Sequence, residues 1–403
     1  MKDVASSYPR ARIPYGTWGT SYFPAWQQSP LAEVNIAQFA GESAAVILGK
    51  RRVPVGEIEY CIIGSTVPWL YKFWTAPLVS RLAGRGVPGF HMEQACATGL
   101  QTIVLATTEV HAGANDVVGV VTFDRCSDSP AGVFPERRAH RRTQVISDVW
   151  DNFGFDPATS KAMITSAGRA ARKHKLDRRM IDEITACRYE QYFSAVESGF
   201  MKRYIFPLEV LSVSGAPAGV VDGDTGIRKV SLGSLREMPE LDTCVTGGTQ
   251  THAADGMGVI LVATPEKARE LSPRPEIDIQ LIAKTEIKTL PALMPEAPTI
   301  AVQKLLSRTG LALDDMAVVK DHNPFAVNDA IFCKTFGFDW RKMNNNGCSL
   351  VFGHPQGPTL TRVTIEAFEE AVDVGGGYVL VFGCAAGDVG IAALFKVSDG
   401  GKR

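Results

Sequence analysis

The segment QACATGLQTIVLATTEVHAGANDVVGVVTF, residues 94–123, predicts a helix followed by a buried strand. The helical pattern over residues 99–114 ends at a glycine turn, and the β-branched run over residues 116–123 has the length of a strand. The preceding stretch EIEYCIIGSTV, residues 57–67, is also short, apolar and β-branched. Strand, helix and strand in this order predict an α/β sheet with a right-handed crossover.

The C-terminal part of the chain repeats this plan. The turn GHPQGPT, residues 353–359, leads into a helical pattern, and a glycine turn then precedes the strand GYVLVFG, residues 377–383. Another strand is predicted at residues 316–320. The repetition is typical of an internally duplicated α/β unit, in which the turns before the two helices would face one common site.

The segment between Asp124 and Asp242 has a different character. It carries a long, charged helical pattern over residues 161–196 and irregular stretches such as VSGAPAGVVDGDTG, residues 213–226. The strand–helix alternation is absent from its pattern. We therefore expect an insertion that lies over the sheet.

Composition narrows the function classes. The 403 residues are 45% hydrophobic, which is ample for a large core, and the net charge of -1 gives no basic field for nucleic acid. The basic cluster RRAHRR, residues 137–142, could hold a phosphate or form a solvated loop. No apolar run has the length of a membrane span, and the N-terminus lacks an apolar signal core. A cytoplasmic protein is predicted.

The eight cysteines are scattered and form no C-x-x-C pair, which argues against a disulfide framework and a zinc cluster. Cys96 is the exception to the usual buried, inert cysteine, because it stands at the predicted start of a helix. Unpaired backbone N–H groups and the helix dipole there favour a thiolate and predict a lowered thiol pKa. The alternative is a small buried helix cap.

Four further residues lie in loops at strand ends. His354, in a tight loop before a helix, could take a proton from a thiol, or it could be a hydrogen-bonded structural residue. His322 and Asn323 follow a strand and could bind an oxyanion or a water. Cys384 follows the strand YVLVFG. Two thiols and two histidines in such loops indicate acyl transfer through a cysteine, with proton shuttling.

The order and context of these motifs resemble the thiolase family across nearly the whole chain. The similar stretches are QACATGL (94–100), VTGGTQTHAADGMGVILV (245–262), HNPFA (322–326), NNNGCSLVFGHPQGPTLTR (344–362) and GCAAGDVGIAALF (383–395). The resemblance implies an α/β fold of two duplicated βαβαβαββ halves in a five-layered α-β-α-β-α body, with an inserted loop domain that helps to hold coenzyme A. The expected bounds are 1–123 plus 244–270 for the first half, 124–243 for the loop domain, and 271–403 for the second half.

The resemblance also implies roles for single residues. Cys96 matches the nucleophile that accepts the acyl group, and His354 matches the residue that activates it. Cys384 matches the residue that exchanges a proton with the α-carbon of the thioester. His322 matches a member of the first oxyanion hole, and the N–H groups of Cys96 and Ala386 match the second. Coenzyme A is expected as a co-substrate, with no permanently bound cofactor and no metal.

Several positions depart from the family pattern. Ala386 replaces a glycine, and HNPF replaces the commoner N-E-A-F, which leaves Asn323 in place of an acidic residue beside Phe325. The segment expected to contact coenzyme A has Thr249 and Thr251 where Asn and Ser are usual. Its next residue, His252, replaces a small residue, and Cys348 replaces a glycine beside the loop of His354. These changes suggest a remodelled substrate pocket around an intact catalytic set.

An aromatic cluster precedes the nucleophile. The stretch VPWLYKFWTAPLV, residues 67–79, contains Trp69, Tyr71, Phe73 and Trp74. These side chains could pack in a subunit interface, or they could form a wall for a bulky, aromatic acyl chain.

The expected activity is cleavage of a 3-oxoacyl-CoA by coenzyme A, with 2-benzoylsuccinyl-CoA as the specific substrate suggested by the resemblance. The alternatives are a general 3-ketoacyl-CoA or acetoacetyl-CoA thiolase, a ketoacyl synthase relative and a non-catalytic scaffold. A synthase would lack a counterpart of Cys384. The expected assembly is a homodimer, and a second expectation adds a small subunit with a zinc ribbon and an OB-fold. Neither nucleic acid nor membrane is an expected partner.

Overall fold

A computed structural model describes residues 4–84, 86–127, 129–135, 143–212 and 214–399. The basic cluster at residues 137–142 lies outside these ranges. Among the described residues, no helix combines the length and the hydropathy that crossing a membrane requires.

Strands and helices alternate through most of the chain. The strands are β1 (Trp18–Ser21), β2 (Tyr60–Gly64), β3 (Gly89–Met92), β4 (Val117–Arg125), β5 (Ala131–Pro135), β6 (Thr143–Ser147), β7 (Ile205–Phe206), β8 (Leu208–Leu211), β9 (Pro217–Val221), β10 (Asp255–Ala263), β11 (Asp278–Lys288), β12 (Met316–His322), β13 (Gly377–Ala385) and β14 (Val389–Ser398). The helices are α1 (Ile36–Lys50), α2 (Thr75–Ala83), α3 (Thr98–Ala112), α4 (Trp150–Gly154), α5 (Met163–Lys173), α6 (Arg178–Glu197), α7 (Leu232–Glu237), α8 (Pro265–Leu271), α9 (Ala297–Thr309), α10 (Ala326–Phe336), α11 (Ser349–Phe352) and α12 (Thr359–Asp373).

The two main sheets share one arrangement of four strands. In the first sheet, β2 runs parallel to β4, β4 antiparallel to β10, and β10 antiparallel to β1. In the second sheet, β12 runs parallel to β13, β13 antiparallel to β14, and β14 antiparallel to β11. The duplication expected from the sequence is therefore present in the topology.

The first sheet is wider because β3 adds to one edge and β7 to the other. The strand β7 lies within the segment expected as an insertion and pairs in parallel with β1. In the second half, the place of β3 is taken by a turn in which Asn344, Asn346 and Gly347 have positive φ angles. That backbone cannot continue a strand. The exact domain bounds stay a prediction.

The body has five layers, as expected. Helices α1 and α2 cover the outer face of the first sheet, α3 and α12 lie between the sheets, and α9 and α10 cover the outer face of the second. Three clusters of buried apolar residues fill the spaces between these layers. The alternation along β2 explains the division, because Ile62 belongs to the central cluster and Ile63 to the outer one.

The two central helices approach each other closely at their N-terminal ends. A Cβ atom on Gly99 would lie 2.5 Å from the backbone nitrogen of Thr361 and 2.7 Å from the carbonyl oxygen of Gly357. Only glycine fits this crossing. The crossing brings the turn before α3 against the turn before α12, so the two duplicated turns face one site.

Candidate active site

Cys96 lies in a tight turn two residues before α3 begins at Thr98. Its neighbour Ala95 has a φ angle of +44°, a left-handed conformation that is uncommon for a residue with a Cβ atom. The Thr98 hydroxyl fixes the turn, since it accepts a hydrogen bond from the Gln94 N–H and donates one to the Ala95 carbonyl. This turn holds the thiol between the two sheets rather than on a face of the helix.

The imidazole of His354 contacts this thiol directly. Its Nε2 atom lies 3.1 Å from Cys96 Sγ, and its Nδ1 atom lies 2.7 Å from the Thr359 hydroxyl. For Nε2 to accept a proton from the thiol, Nδ1 must carry the ring hydrogen and donate it to Thr359. The backbone N–H of His354 also donates to the His252 carbonyl, which anchors the loop.

Burial dominates the ionisation of this pair. It raises the pKa of Cys96 to about 12, against the opposing effect of the N–H groups of Ala386 and of Cys96 itself. It lowers the pKa of His354 to about 3. The sequence-based prediction of a lowered thiol pKa is therefore wrong, because desolvation of the thiolate outweighs the backbone donors. The resting pair is a neutral thiol and a neutral imidazole.

His322 completes a compact group of donors. Its ring centroid lies 4.2 Å from that of His354, and its Nδ1 atom lies 2.8 Å from the Ser349 hydroxyl. Its Nε2 atom is buried and has no hydrogen-bond partner among the described residues. Burial, and next the neighbouring His354, hold the pKa of His322 well below its usual value. The ring is therefore neutral, with one N–H to offer.

One nitrogen of each histidine and the Cys96 sulfur lie within 4.8 Å of one another. Such a set is chemically suited to Zn²⁺. A metal there would occupy the place of the reacting acyl group and would block His354 as a proton acceptor. The absence of a metal from the working site stays a prediction.

The second thiol of the site, Cys384, lies near the end of β13 and is fully buried. The Asn328 side-chain amide donates to Cys384 Sγ at 3.4 Å. Burial, and next the nearby Cys96, raise the pKa of Cys384 well above its usual value. This thiol is therefore protonated at rest and can act as a proton donor.

Asn323 supports the loop and lies behind the reacting atoms. Its amide nitrogen lies 3.1 Å from both carboxylate oxygens of Asp329 and 3.3 Å from Cys348 Sγ. Asp329 in turn pairs with the fully buried Arg188 at 2.8 Å. Cys348 is buried against this network, where desolvation raises its pKa to about 12.

The three residues expected to contact coenzyme A lie together. The Ala326 N–H donates to the Thr249 carbonyl, directly after Phe325, and the Thr251 N–H donates to the Pro324 carbonyl. Both threonine hydroxyls are engaged within the protein: that of Thr249 accepts from the Thr246 N–H, and that of Thr251 donates to the Ser349 carbonyl at 2.5 Å.

The aromatic cluster is divided. Trp69 is buried in the packing between the outer helices and the first sheet, where its indole N–H donates to Thr75. Tyr71, Phe73 and Trp74 are exposed, Phe73 to 87%. The structure thus places three of the four side chains on the surface rather than with Cys96.

Four residues around the site escaped the sequence-based prediction: Asp124, Asn328, Ser349 and Thr359. Asn328 and Thr359 stand inside or beside motifs that were recognised, so their polar side chains were a usable signal. Ser349 also stands inside a recognised motif, whereas Asp124 gave no such signal, because its partners Thr66, Val67 and Gly357 are distant in sequence.

Models of known protein families match most of the chain. The thiolase N-terminal domain matches residues 23–266, and the thiolase C-terminal domain matches residues 277–397.

Individual proteins of that family are similar over most of their length. Human mitochondrial 3-ketoacyl-CoA thiolase is 24% identical over 402 residues, covering 96% of each chain. An acetyl-CoA acetyltransferase of Allochromatium vinosum is 27% identical over 318 residues, covering 76% of this chain and 78% of its own. A beta-ketoadipyl-CoA thiolase of Acinetobacter baylyi is 26% identical over 322 residues, covering 77% and 80%.

Solved structures show the same fold. Human mitochondrial 3-ketoacyl-CoA thiolase in complex with CoA superposes with a TM-score of 0.88 at 21% identity, covering 98% of this chain and 100% of that one. The crystal structure of the same human enzyme described without CoA gives a TM-score of 0.87 at 22% identity, with 97% and 100% covered.

Proposed function

Because this chain belongs to the thiolase family and is an acyltransferase that uses coenzyme A as a substrate, we propose that it cleaves a 3-oxoacyl-CoA through an acyl group bound to Cys96. The observation that carries the proposal is the 3.1 Å contact between Cys96 Sγ and His354 Nε2. A thiol so placed can lose its proton to the imidazole as it attacks a carbonyl carbon.

In the first half-reaction, Cys96 Sγ attacks the 3-oxo carbon while its proton passes to His354 Nε2. The bond between the α-carbon and the 3-oxo carbon breaks, and its electron pair stays on the α-carbon. Cys384 gives its proton to that carbon and becomes a thiolate. The products are an acyl group on Cys96 and the CoA thioester that carries the α-carbon.

In the second half-reaction, the thiol of coenzyme A gives its proton to the Cys384 thiolate and attacks the acyl carbon. Cys96 leaves as a thiolate and takes the proton back from His354. All groups thus return to their resting states. Each half-reaction develops negative charge on an oxygen, which preorganised donors must stabilise.

The proposed donors are chain atoms that already surround the thiols. The N–H groups of Cys96 and Ala386 are directed at Cys96 Sγ, and we assign them to the oxygen of the acyl group on Cys96. The unpartnered Nε2 of His322 is assigned to the thioester oxygen of the carbanion. Thr249, Thr251 and Phe325 are proposed to line the channel for the pantetheine arm of coenzyme A, and a loop domain spanning residues 124–243 is proposed to cover it.

A finer proposal is that the acyl group is bulky or aromatic, as in 2-benzoylsuccinyl-CoA. Its support is the change of side chains near the site, such as Cys348 and Ala386 in place of the usual glycines, whereas the exposed aromatic surface of Tyr71, Phe73 and Trp74 lies apart from Cys96. Lys72 pairs with Glu93 at 2.8 Å, so this surface lies beside the strand that leads to Cys96. A general 3-ketoacyl-CoA or acetoacetyl-CoA thiolase is the competing assignment, and the names of the relatives favour it.

For the assembly we propose a homodimer, because such an exposed apolar surface beside the edge strand β3 is typical of a protein interface. A small zinc-ribbon and OB-fold subunit remains a proposal from the family resemblance alone. A cytoplasmic location is proposed from the eight free cysteines, which suit a reducing compartment.

The test is a screen of 3-oxoacyl-CoA thioesters, with intact-mass detection of the acyl group on the protein. We expect acyl transfer in the native chain and none in Cys96→Ser, because a serine hydroxyl is too weakly acidic for this site. Cys61→Ala is the matched control, since Cys61 is a buried thiol in β2. Substantial turnover by Cys96→Ser would reject the nucleophile, and no acylation with any thioester would favour a scaffold.

A further inference from the structure

Ser349 is the first residue of α11, and its hydroxyl touches both His322 and Asn323. Ser349 Oγ lies 2.8 Å from His322 Nδ1, 3.1 Å from the backbone nitrogen of Asn323 and 3.2 Å from Asn323 Oδ1. All three residues are fully buried. The direction of the single Ser349 O–H bond therefore decides how the buried ring of His322 is protonated.

The neighbouring groups fix that direction. The Asn323 N–H donates to Ser349 Oγ, so one lone pair of the hydroxyl is occupied. Asn323 Oδ1 already accepts from the Leu350 N–H, and its amide nitrogen faces the Asp329 carboxylate. His322 Nδ1 is the closer acceptor, and Ser349 is its hydrogen-bond partner in the described part of the chain. The shorter contact, 2.8 Å to His322 Nδ1 against 3.2 Å to Asn323 Oδ1, favours an O–H bond that points to the ring.

We propose that Ser349 is a positioning residue that donates its O–H to His322 Nδ1 and so holds His322 as the tautomer with its hydrogen on Nε2. This inference rests on the proposed thiolase reaction, to which it adds the residue that makes His322 a donor. With the hydrogen on Nε2, the buried and unpartnered side of the ring presents an N–H to the thioester oxygen. With the hydrogen on Nδ1, the same side would present a lone pair and repel a developing oxyanion.

The two histidines of the site thus have opposite tautomers. Thr359 accepts from His354 Nδ1 and leaves Nε2 free to take the Cys96 proton, whereas Ser349 donates to His322 Nδ1 and puts the hydrogen on Nε2. The rings face each other at 4.2 Å. One hydroxyl prepares a base and the other prepares an oxyanion donor, within a single buried space.

The tautomer can be measured directly and without turnover. In the full-length protein labelled with ¹⁵N-histidine, NMR distinguishes a protonated ring nitrogen from an unprotonated one, and His322→Gln identifies the signals. We expect His322 to have its hydrogen on Nε2 in the native chain. In Ser349→Ala we expect a mixture of the two tautomers. A hydrogen on Nδ1 in the native chain, or an unchanged tautomer in Ser349→Ala, would overturn the proposal.

A double-mutant cycle tests whether Ser349 acts through the ring. Ser349→Ala should lower kcat for acetoacetyl-CoA cleavage by about tenfold with KM within about twofold, as for partial loss of an oxyanion donor. Ser349→Thr, which keeps a hydroxyl, should recover most of that loss. In a His322→Ala background, Ser349→Ala should lower kcat by less than about twofold, because the residue that Ser349 positions is gone. An equal loss in both backgrounds would overturn the proposal.

Ser80→Ala is the matched control, since Ser80 is a buried serine of α2 whose hydroxyl bonds a backbone carbonyl. It should leave both the His322 signals and kcat unchanged. If the native chain cleaves no 3-oxoacyl-CoA, the proposed function fails, but the NMR measurement still decides the role of Ser349. The two failures are therefore distinguishable.

Discussion

The carboxylate of Asp124 accepts a 2.7 Å hydrogen bond from the backbone N–H of Gly357, in the turn that follows His354. The same carboxylate accepts from the N–H groups of Thr66 and Val67, so one buried side chain joins a loop of the first half to the catalytic turn of the second. Burial outweighs these donors and raises the pKa of Asp124 to about 7.

This shift predicts a stability that falls as the pH rises. The carboxyl is ionised above about pH 4 in the unfolded chain but only above about pH 7 in the folded one. Its contribution to the free energy of unfolding is therefore complete below about pH 4 and lost as the pH rises through 7. Between pH 5 and pH 8 we expect the free energy of unfolding to fall by about 3 kcal/mol on its account. Urea titrations should show this slope reduced in Asp124→Asn, and parallel curves would refute it.

Alkylation of Cys96 by iodoacetamide should proceed at a rate that does not rise between about pH 6 and 8, because the ionisation of the nearby Asp124 near pH 7 can only oppose formation of the thiolate. Neither the thiol, with a pKa of about 12, nor the imidazole of His354, with a pKa of about 3, titrates in that range. The proton moves within the pair, so its uptake from solvent does not enter the rate. Glutathione, measured in parallel, should react about tenfold faster per pH unit. A similar rise at Cys96 would show ionisation to solvent.

Cys384→Ala should separate the two half-reactions. Acylation of Cys96 by a simple acyl-CoA needs the nucleophile, His354 and an oxyanion hole, whereas cleavage of the C–C bond also needs a proton donor at the carbanion. We expect acylation to stay within about threefold of native while cleavage falls by about 10² or more, the contribution usual for general acid catalysis. Cys61→Ala should change neither rate. Equal losses in both assays would mark Cys384 as structural.

Phe73→Ala tests the bulky-substrate proposal. Losing one large apolar contact with an aryl group costs about 1.5–3 kcal/mol, which is about tenfold or more in kcat/KM. Because Phe73 lies on the surface apart from Cys96, that loss for an aryl substrate, with little change for acetoacetyl-CoA, is the result that would support the proposal. Phe155→Ala is the control, because Phe155 is an exposed aromatic of the insertion. Parallel loss of both activities, or dissociation on a sizing column, would assign the aromatic surface to subunit contact alone.

Trp69 requires a different expectation from its neighbours. Its side chain is 8% exposed and packs in the outer core of the first sheet. Trp69→Ala should therefore destabilise the fold by about 3–5 kcal/mol, as for other buried aromatics. Thermal denaturation monitored by circular dichroism is the measurement, and an unchanged melting temperature would contradict this packing role.

The sequence was most informative where the signal is local. The helix at Thr98–Ala112 and the strand at Val117–Arg125 were predictable from periodicity and from the glycine turn between them. The pairing of Cys96 with His354 followed from duplicated turns and family motifs. Their ionisation was not predictable, because it depends on how completely two sheets desolvate the pair.

The supporting polar residues were harder to predict. Ser349 stands in an apolar four-residue helix, and its partners His322 and Asn323 come from another strand end. No periodic pattern links them. The turn around Asn344 and Asn346 had a readable signal, since consecutive asparagines before a glycine tolerate left-handed backbone.

The pairing of Trp18 on β1 with Ile260 on β10 sets the order in which the chain can fold during synthesis. The first half cannot complete its sheet until β10 has left the ribosome, and the whole insertion is made before that point. At about 5–20 residues per second, β1 waits on the order of tens of seconds for its partner. The N-terminal sheet is thus the high-contact-order part of the molecule. In the C-terminal half the widest pairing joins Asp278 on β11 to Ser398 on β14, a much shorter separation along the chain, so this sheet can be completed sooner after its first strand is made.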